Sequence, residues 1–266
     1  MGVPFGRQGG INLARFFVPE HAIQNNIAII TGPDVKHIAR VLRLEPGDLL
    51  EICSGEGQGR EFTATIREIT NKDVTCEITG EKSGAAEPPV QVTLYQGLPK
   101  GEKMELVIQK SVELGVSRVI PVVCERTVVK LDEKKASERQ TRWQRVAAEA
   151  AKQSRRTVIP TVAMPLPFHQ AVEQIASDVL AIMPWEEEHI RGISKVLKSK
   201  TDGHRSVAVF IGPEGGFSRE EADSAKARGV IPVSLGPRIM RTETAGIVTV
   251  AIVLYEIGDL GGTADG

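Results

Sequence analysis

Two hydrophobic rhythms follow one another along the chain. From residue 14 to residue 80 the apolar residues come in short β-rich runs, "ARFFV", "IAII", "LLEICS", "REFTATIREI" and "DVTCEI", each bounded by turn residues. "EPGD" at 45–48 is such a turn, and the glycine-rich "GEGQG" at 55–59 reads as a hairpin tip. One short helix interrupts the strands: "PDVKHIARVLRL", which Pro33 opens and in which Val35, Ile38, Ala39 and Leu42 share a face. Many short strands with one helix imply a small β-barrel over residues 1–80. "EKSGAAEPP" at 81–89, polar, small and ended by prolines, reads as a linker.

Beyond the linker, apolar strands alternate with helices. "VQVTLYQ", "VSRVIPVVC", "VLAIMP", "SVAVFIG" and "VIPVSLG" are strands. "KMELVIQKSVELG", "SERQTRWQRVAAEAAKQSRR" and "SREEADSAKARG" are helices, and a last apolar helix begins near Arg241 or Thr242. This alternation predicts an α/β domain over residues 90–262, built on a mostly parallel sheet covered on both faces.

Ligands of open α/β sheets bind beyond the carboxyl ends of the strands. Three loops leave such ends: "MPWEEE" (183–188), "GPEGGFS" (212–218) and "LGPRIMRTETAG" (235–246). In the middle one, "SREE" forms a capping box with Ser218 as N-cap and Glu221 three residues on. The helix start is thereby satisfied and "GPEGG" is left for a ligand, since glycine lets a ligand approach the backbone closely. The chain lacks GxGxxG opening a βαβ unit, GxxxxGK[ST] and GxSxG, which disfavours a dinucleotide enzyme, a P-loop NTPase and a serine hydrolase.

Composition changes the picture only locally. The 266 residues suffice for one large or two ordinary domains, and 41% hydrophobic with 25% charged residues is ordinary for a soluble protein. No apolar run approaches the roughly 20 residues that span a bilayer, so no membrane partner is expected. Three cysteines without CxxC spacing fit a reducing cytoplasm, and five scattered histidines suggest no metal site. Net charge is −1, so a nucleic-acid partner must be met by a local basic face. Residues 134–156 offer one: eight basic side chains, among them Arg142, Arg155 and Arg156, against two acids. His37, Arg40 and Arg43, spaced by three in "HIARVLR", form a second candidate RNA contact.

Taken together, "FIGPEGGFSREE", "VSLGPRIMRTETA", "IQKSVELGVSRVIPVVCERT", "RWQRVAAEAAKQSRRTVIP" and "HIARVLRLEPGD" resemble the RsmE family of 16S ribosomal RNA (uracil-N3)-methyltransferases, of the SPOUT class. The likeness runs in order from about residue 14 to residue 260. It implies a PUA-like β-barrel followed by a SPOUT α/β domain with a deep trefoil knot, S-adenosylmethionine as cofactor, and a homodimer acting on 16S rRNA or the small ribosomal subunit. Carried over residue by residue, the adenosine rests on backbone groups at Ile211, Gly212, Leu235, Gly236 and Met240. Met183 and Pro184 close one side, and Gly215 and Gly216 let the chain pass close to the cofactor. Arg126 and Arg155 are RNA contacts.

Uracil N3 must lose a proton, so a carboxylate near the methyl group is needed. Glu214 and Glu243 are the candidates, and the sequence does not choose between them; Glu243 is equally well read as a first-turn acid facing the helix dipole. Arg241 or Arg238 could hold a carbonyl oxygen as charge develops. A ribose 2′-O-methyltransferase of the same class and a non-catalytic RNA-binding ribosome-assembly protein are the alternative readings.

Overall fold

The computed structural model describes residues 13–57, 59–82, 87–129, 131–200, 205–257 and 259–261. The chain divides into two compact units, one of residues 1–86 with Arg155–Val158, the other of Glu87–Ser154 with Ile159–Gly266.

The first unit holds strands β1 (Arg15–Phe17), β2 (Ile23–Gln24), β3 (Ile27–Thr31), β4 (Leu49–Cys53), β5 (Glu61–Ile69) and β6 (Asp73–Lys82) and a short helix α1 (Pro33–Lys36). The strands form one sheet in the order β1-β4-β5-β6-β3-β2, antiparallel except for the β1–β4 pair. Alternation drives the packing: Phe62, Ala64 and Ile66 of β5 point into a core shared with Phe16, Ile30 and Leu50. Because β6 runs to Lys82, the linker expected at 81–89 starts later, and residues 83–86 lie outside the described residues.

The helix expected after Pro33 takes a different form. Only four residues are α-helical, and His37–Leu42 widen into a π-turn that Arg43 ends in the left-handed region. The wider turn keeps Val35 and Ile38 in the core but leaves Ala39 and Leu42 exposed. Leu44, whose amide donates to the Ile38 carbonyl at 3.1 Å, packs on the core in place of Leu42.

A later segment completes this unit. Gly55 bridges Val158, and the Arg15 guanidinium donates to the carbonyls of Arg155 and Arg156 at 2.5 and 3.1 Å. Gly59, at φ +68°, passes so close to Thr157 that a Cβ would lie 2.4 Å from its hydroxyl. The basic run at 134–156 is therefore not one helix. It ends at Gln153, Arg155 turns at φ +59°, and Arg156 is buried.

The second unit is an α/β layer structure. Its strands are β7 (Gln91–Gly97), β8 (Arg118–Val123), β9 (Thr161–Val162), β10 (Leu166–Pro167), β11 (Leu180–Pro184), β12 (Ser206–Ile211) and β13 (Ile231–Val233). Its helices are α2 (Lys103–Leu114), α3 (Glu133–Gln153), α4 (Phe168–Glu173), α5 (Ile193–Lys200), α6 (Arg219–Ala227) and α7 (Thr242–Glu256). All strand pairs are parallel, in the order β10-β8-β7-β12-β11-β13 with β9 also on β8. The central strands "VTLYQG" and "VAVFI" are almost continuously buried because both faces are covered. On one face Tyr95 and Phe210 stack at 4.3 Å, with Phe168 and Phe217 against them and α4 and α6 outside. On the other, α2 packs against α3 and α7. Among the described residues no helix is long and apolar enough to cross a membrane.

Candidate active site

Strands β12, β11 and β13 are neighbours, and the loops leaving their carboxyl ends enclose a cavity of about 630 Å³. That is the size of a small-molecule site. Each loop is fixed by its own local chemistry. After β11, Trp185 lies under the Lys226 ammonium (4.3 Å to the ring centroid), its amide donates to the Val233 carbonyl, and Glu188 accepts from the Ile190 and Arg191 amides. After β12, the Gly216 amide donates to the Pro213 carbonyl at 2.9 Å, with Gly216 at φ +67°. The capping box then starts α6, with Ser218 and Glu221 exchanging hydrogen bonds of 3.0 and 3.2 Å. Glu221 also accepts from the Glu125 amide at 2.8 Å.

The third loop runs into α7. Thr242 donates to the Gly212 carbonyl at 2.5 Å and accepts from Gln96 Nε2 at 2.9 Å. These bonds tie the first residue of α7 to the end of β12 and to β7. Gln96 is wholly buried, and Gly246 lies so close that a Cβ would sit 2.6 Å from Gln96 Oε1. Gly97 is equally constrained, since a Cβ there would lie 2.5 Å from the Pro213 nitrogen.

Most of the expected cofactor residues meet at this cavity. Pro184, Ile211, Gly212, Gly216, Leu235, Gly236 and Met240 line it, as do Glu214, Arg238 and Arg241. Two do not. Met183 is fully enclosed, in the core cluster that holds Tyr95, Phe168 and Phe210. The Gly215 carbonyl accepts from Arg126 Nη1 at 2.9 Å, and a Cβ at Gly215 would lie 3.1 Å from the Arg126 Cβ. Lys103 lines the cavity and escaped the sequence reading. Its ammonium lies 3.2 Å from Glu214 and 3.3 Å from Glu243, and it titrates above the usual lysine range because Glu214, which accepts its hydrogen bond, and the neighbouring Glu243 favour its charged form. Burial pushes the Glu214 carboxyl up, but the Lys100 amide, its own amide and Lys103 outweigh burial and hold it below the ordinary carboxylate value.

The expected RNA contacts are scattered. His37, Arg40 and Arg43 are exposed on the first unit, as is Arg155. Arg156 is buried there, so it is not available to a phosphate backbone. Arg142 is exposed but paired with Glu102 and Glu105 at 3.3 and 2.8 Å. None of the three cysteines lines the cavity; all are buried, and burial pushes the Cys76 thiol up to about 11 and Cys53 to about 12.

A family model for the RNA methyltransferase domain matches residues 86–254, and one for the RNA methyltransferase PUA domain matches residues 30–79. Ribosomal RNA small subunit methyltransferase E of Bacillus subtilis is 35% identical over 231 residues, which cover 85% of this chain and 89% of the relative. The crystal structure of ribosomal RNA small subunit methyltransferase E from Neisseria gonorrhoeae bound to S-adenosyl methionine aligns with a TM-score of 0.78 at 30% identity, over 90% of this chain and 96% of that one. A Legionella pneumophila methyltransferase in complex with the same cofactor aligns with a TM-score of 0.75 at 31% identity, over 92% and 98% of the two chains. The matched residues include all three cavity loops and their capping and hydrogen-bonding residues, and the chain belongs to the ribosomal RNA small subunit methyltransferase E family.

Proposed function

We propose that this chain transfers the methyl group of S-adenosylmethionine to N3 of one uridine in 16S ribosomal RNA of the small subunit. The observation that carries the reading is the cavity at the ends of β11, β12 and β13, lined by Gly212, Gly216 and Gly236 and by Glu214, Arg238 and Arg241. The residues present fit the cofactor. At Gly212 a Cβ would lie 3.0 Å from Gly216, so this loop folds tightly on itself and leaves no room for a side chain there. Ile211, Gly212, Leu235, Gly236 and Met240 would hold the adenosine, and Pro184 would close one side. When bound, S-adenosylmethionine supplies a methyl group already activated on a sulfonium.

The chain's own task is to present the base and manage its proton. N3 lies on the Watson–Crick edge, so the target base must be unpaired and turned out of its stack. Arg238 and Arg241, exposed at the cavity rim, stabilise a uracil carbonyl oxygen as N3 becomes anionic. A neighbouring carboxylate accepts the proton. The buried, protonated cysteines do not favour attachment of a thiolate to the ring, a route that modification of a ring carbon would use.

The reading extends to the SPOUT class with its knotted chain path, to cytoplasmic location, and to RNA contact through His37, Arg40, Arg43, Arg126, Arg142 and Arg155. It includes a homodimer: Ile247, Val248, Ala251 and Ile252 of α7 are only half-buried and Tyr255 is exposed, one apolar stripe at helical spacing that a second copy would cover. Calorimetric titration with S-adenosylmethionine should show binding that a Gly212→Trp variant loses. Digestion of 16S rRNA after reaction with the protein and cofactor should yield 3-methyluridine. A ribose-methylated nucleoside in its place would overturn the proposed reaction.

A further inference from the structure

Lys103 sits where a helix ordinarily avoids a cation. It is the first residue of α2, at the positive end of the helix dipole. Local rules of this kind are broken mainly at functional positions. Its Nζ joins two carboxylates from separate loops, 3.2 Å from Glu214 Oε1 and 3.3 Å from Glu243 Oε2. The two acids are not equivalent. Glu214 Oε1 is engaged twice, accepting from the Lys100 amide at 3.0 Å and from Lys103 at 3.2 Å. The Glu243 side chain is more enclosed, 13% exposed against 30%, and its buried Oε2 accepts no hydrogen bond. Lys103 is close enough to that oxygen for an ion pair but is not aligned to donate to it. A buried carboxylate oxygen normally takes hydrogen bonds, and one left with a charge alone has an acceptor site to spare. Glu243 does not itself line the cavity, but Arg241 and Thr242, which precede it, both do.

We propose that Glu243 Oε2 takes the proton from N3 of the target uracil, and that Lys103 is a positioning residue that holds and aims this carboxylate while Glu214 anchors the lysine. The proposal rests on the uracil-N3 reading and decides between its two candidate bases. The N3–H bond breaks and its electron pair stays on nitrogen to bond the incoming methyl carbon. The proton resides on Oε2 until water removes it, and the pair of the broken carbon–sulfur bond stays on sulfur. Lys103 neither gains nor loses a proton.

Lys103 pairs with Glu243 from α2 and shares its ammonium with Glu214 of the loop after β12, and Arg238 and Arg241 line the cavity from the loop after β13. Glu186, Glu188 and His189 line that cavity from the loop after β11. Removing the lysine charge therefore leaves Glu243 with fewer cations and the same acids around it, which favours its protonated form.

The test compares Glu243→Gln, Glu214→Gln, Lys103→Met and Lys103→Arg with the parent, each first checked for a native thermal transition. Glu243→Gln should lower kcat by about 100-fold or more, the range for a general base, with cofactor affinity by calorimetry essentially kept. Glu214→Gln should lose less. Lys103→Met should move the acid limb of the kcat profile to higher pH and recover activity at alkaline pH, and Lys103→Arg should restore the parent profile. Independently of turnover, carbon NMR titration of the Glu243 carboxyl in the protein without cofactor or RNA should shift upward in Lys103→Met. Parent-like kcat in Glu243→Gln overturns the proposal. So does a Lys103→Met variant with no NMR shift and a loss equal at every pH. A parent that makes a different methylated nucleoside refutes the uracil-N3 reading instead, and the NMR titration still reports on the Lys103–Glu243 pair.

Discussion

Thr242 shows what a single hydroxyl can hold. It accepts from Gln96 and donates to Gly212; Gln96 and Thr242 are buried and Gly212 is half-buried. Thr242→Val keeps the shape and leaves the Gln96 amide hydrogen and the Gly212 carbonyl without this partner. Leaving buried polar groups unpaired costs about 1–3 kcal/mol. Because Gly212 lines the cavity, the loss should appear as weaker cofactor binding by calorimetry, with Thr242→Ser close to the parent. Equal affinity in Thr242→Val would mean that the Gly212 backbone is held by other means. Gly246→Ala tests the same knot of contacts from the other side: a Cβ 2.6 Å from Gln96 Oε1 must displace an amide already hydrogen-bonded to Thr242. A lower melting temperature is expected, and an unchanged one would show that Gln96 can turn aside. The glycines and arginines of the loops are legible in the sequence because their residue types announce close approach and anion contact. Gln96 and Lys103 are not, because their meaning lies in partners 146 and 111 positions away. The only local signals are a polar residue at the end of an apolar strand and a cation at the wrong end of a helix.

At the scale of elements, legibility follows how local the cause is. The α6 cap is written in four consecutive residues and forms as its motif implies. Ser218→Ala removes one half of it and should cost about 1 kcal/mol in urea unfolding. Glu221→Ala should cost more, since Glu221 also accepts from the Glu125 amide and holds the start of the loop after β8. Similar losses in the two variants would show that the Glu125 bond contributes nothing. The widened turn at His37–Leu42 had no local signal, because its three-residue spacing of apolar side chains serves an α-helix equally well. What selects the wider form is the fit of Ile38 and Leu44 to the sheet beneath. In α7 the sequence is apolar almost all round, whereas the fold buries only one side against α2 and the sheet. An Ile252→Arg change on the half-buried stripe should leave the fold intact but yield monomers in sedimentation. A dimer that survives this change would place the contact between copies elsewhere.

For the molecule as a whole, the sequence reading assigns each unit one stretch of chain, and the structure shows otherwise. Residues 155–158 return to the first unit while more than half of the second unit's helices and strands have still to follow. No composition shift marks that return; it depends on Arg15, which lies far upstream. The Arg15 guanidinium uses its donors on Glu51, Glu61 and the carbonyls of Arg155 and Arg156, at 2.5 to 3.2 Å. Arg15→Met leaves two enclosed carboxylates with only Lys82, and breaking such a buried pair costs about 3 kcal/mol. Arg15→Lys should recover little, because one ammonium cannot replace a fork of five N–H groups. The pH dependence follows from Glu51. Burial pushes its carboxyl up, but the hydrogen bonds and charges of Lys82 and Arg15 outweigh burial and hold it below the ordinary value. A depressed carboxylate adds stability that is fully present above its unfolded value and is lost as pH falls through its folded value. The first unit should therefore weaken on acidification below the ordinary glutamate value of about 4.3, and Arg15→Met, by removing part of the depression, should flatten that decline. Urea unfolding followed by hydrogen exchange of the β4 and β5 amides reads this unit directly. Parallel acid slopes in parent and variant would mean that Glu51 owes its ionisation to Lys82 alone, and that Arg15 acts only through the carbonyls it holds.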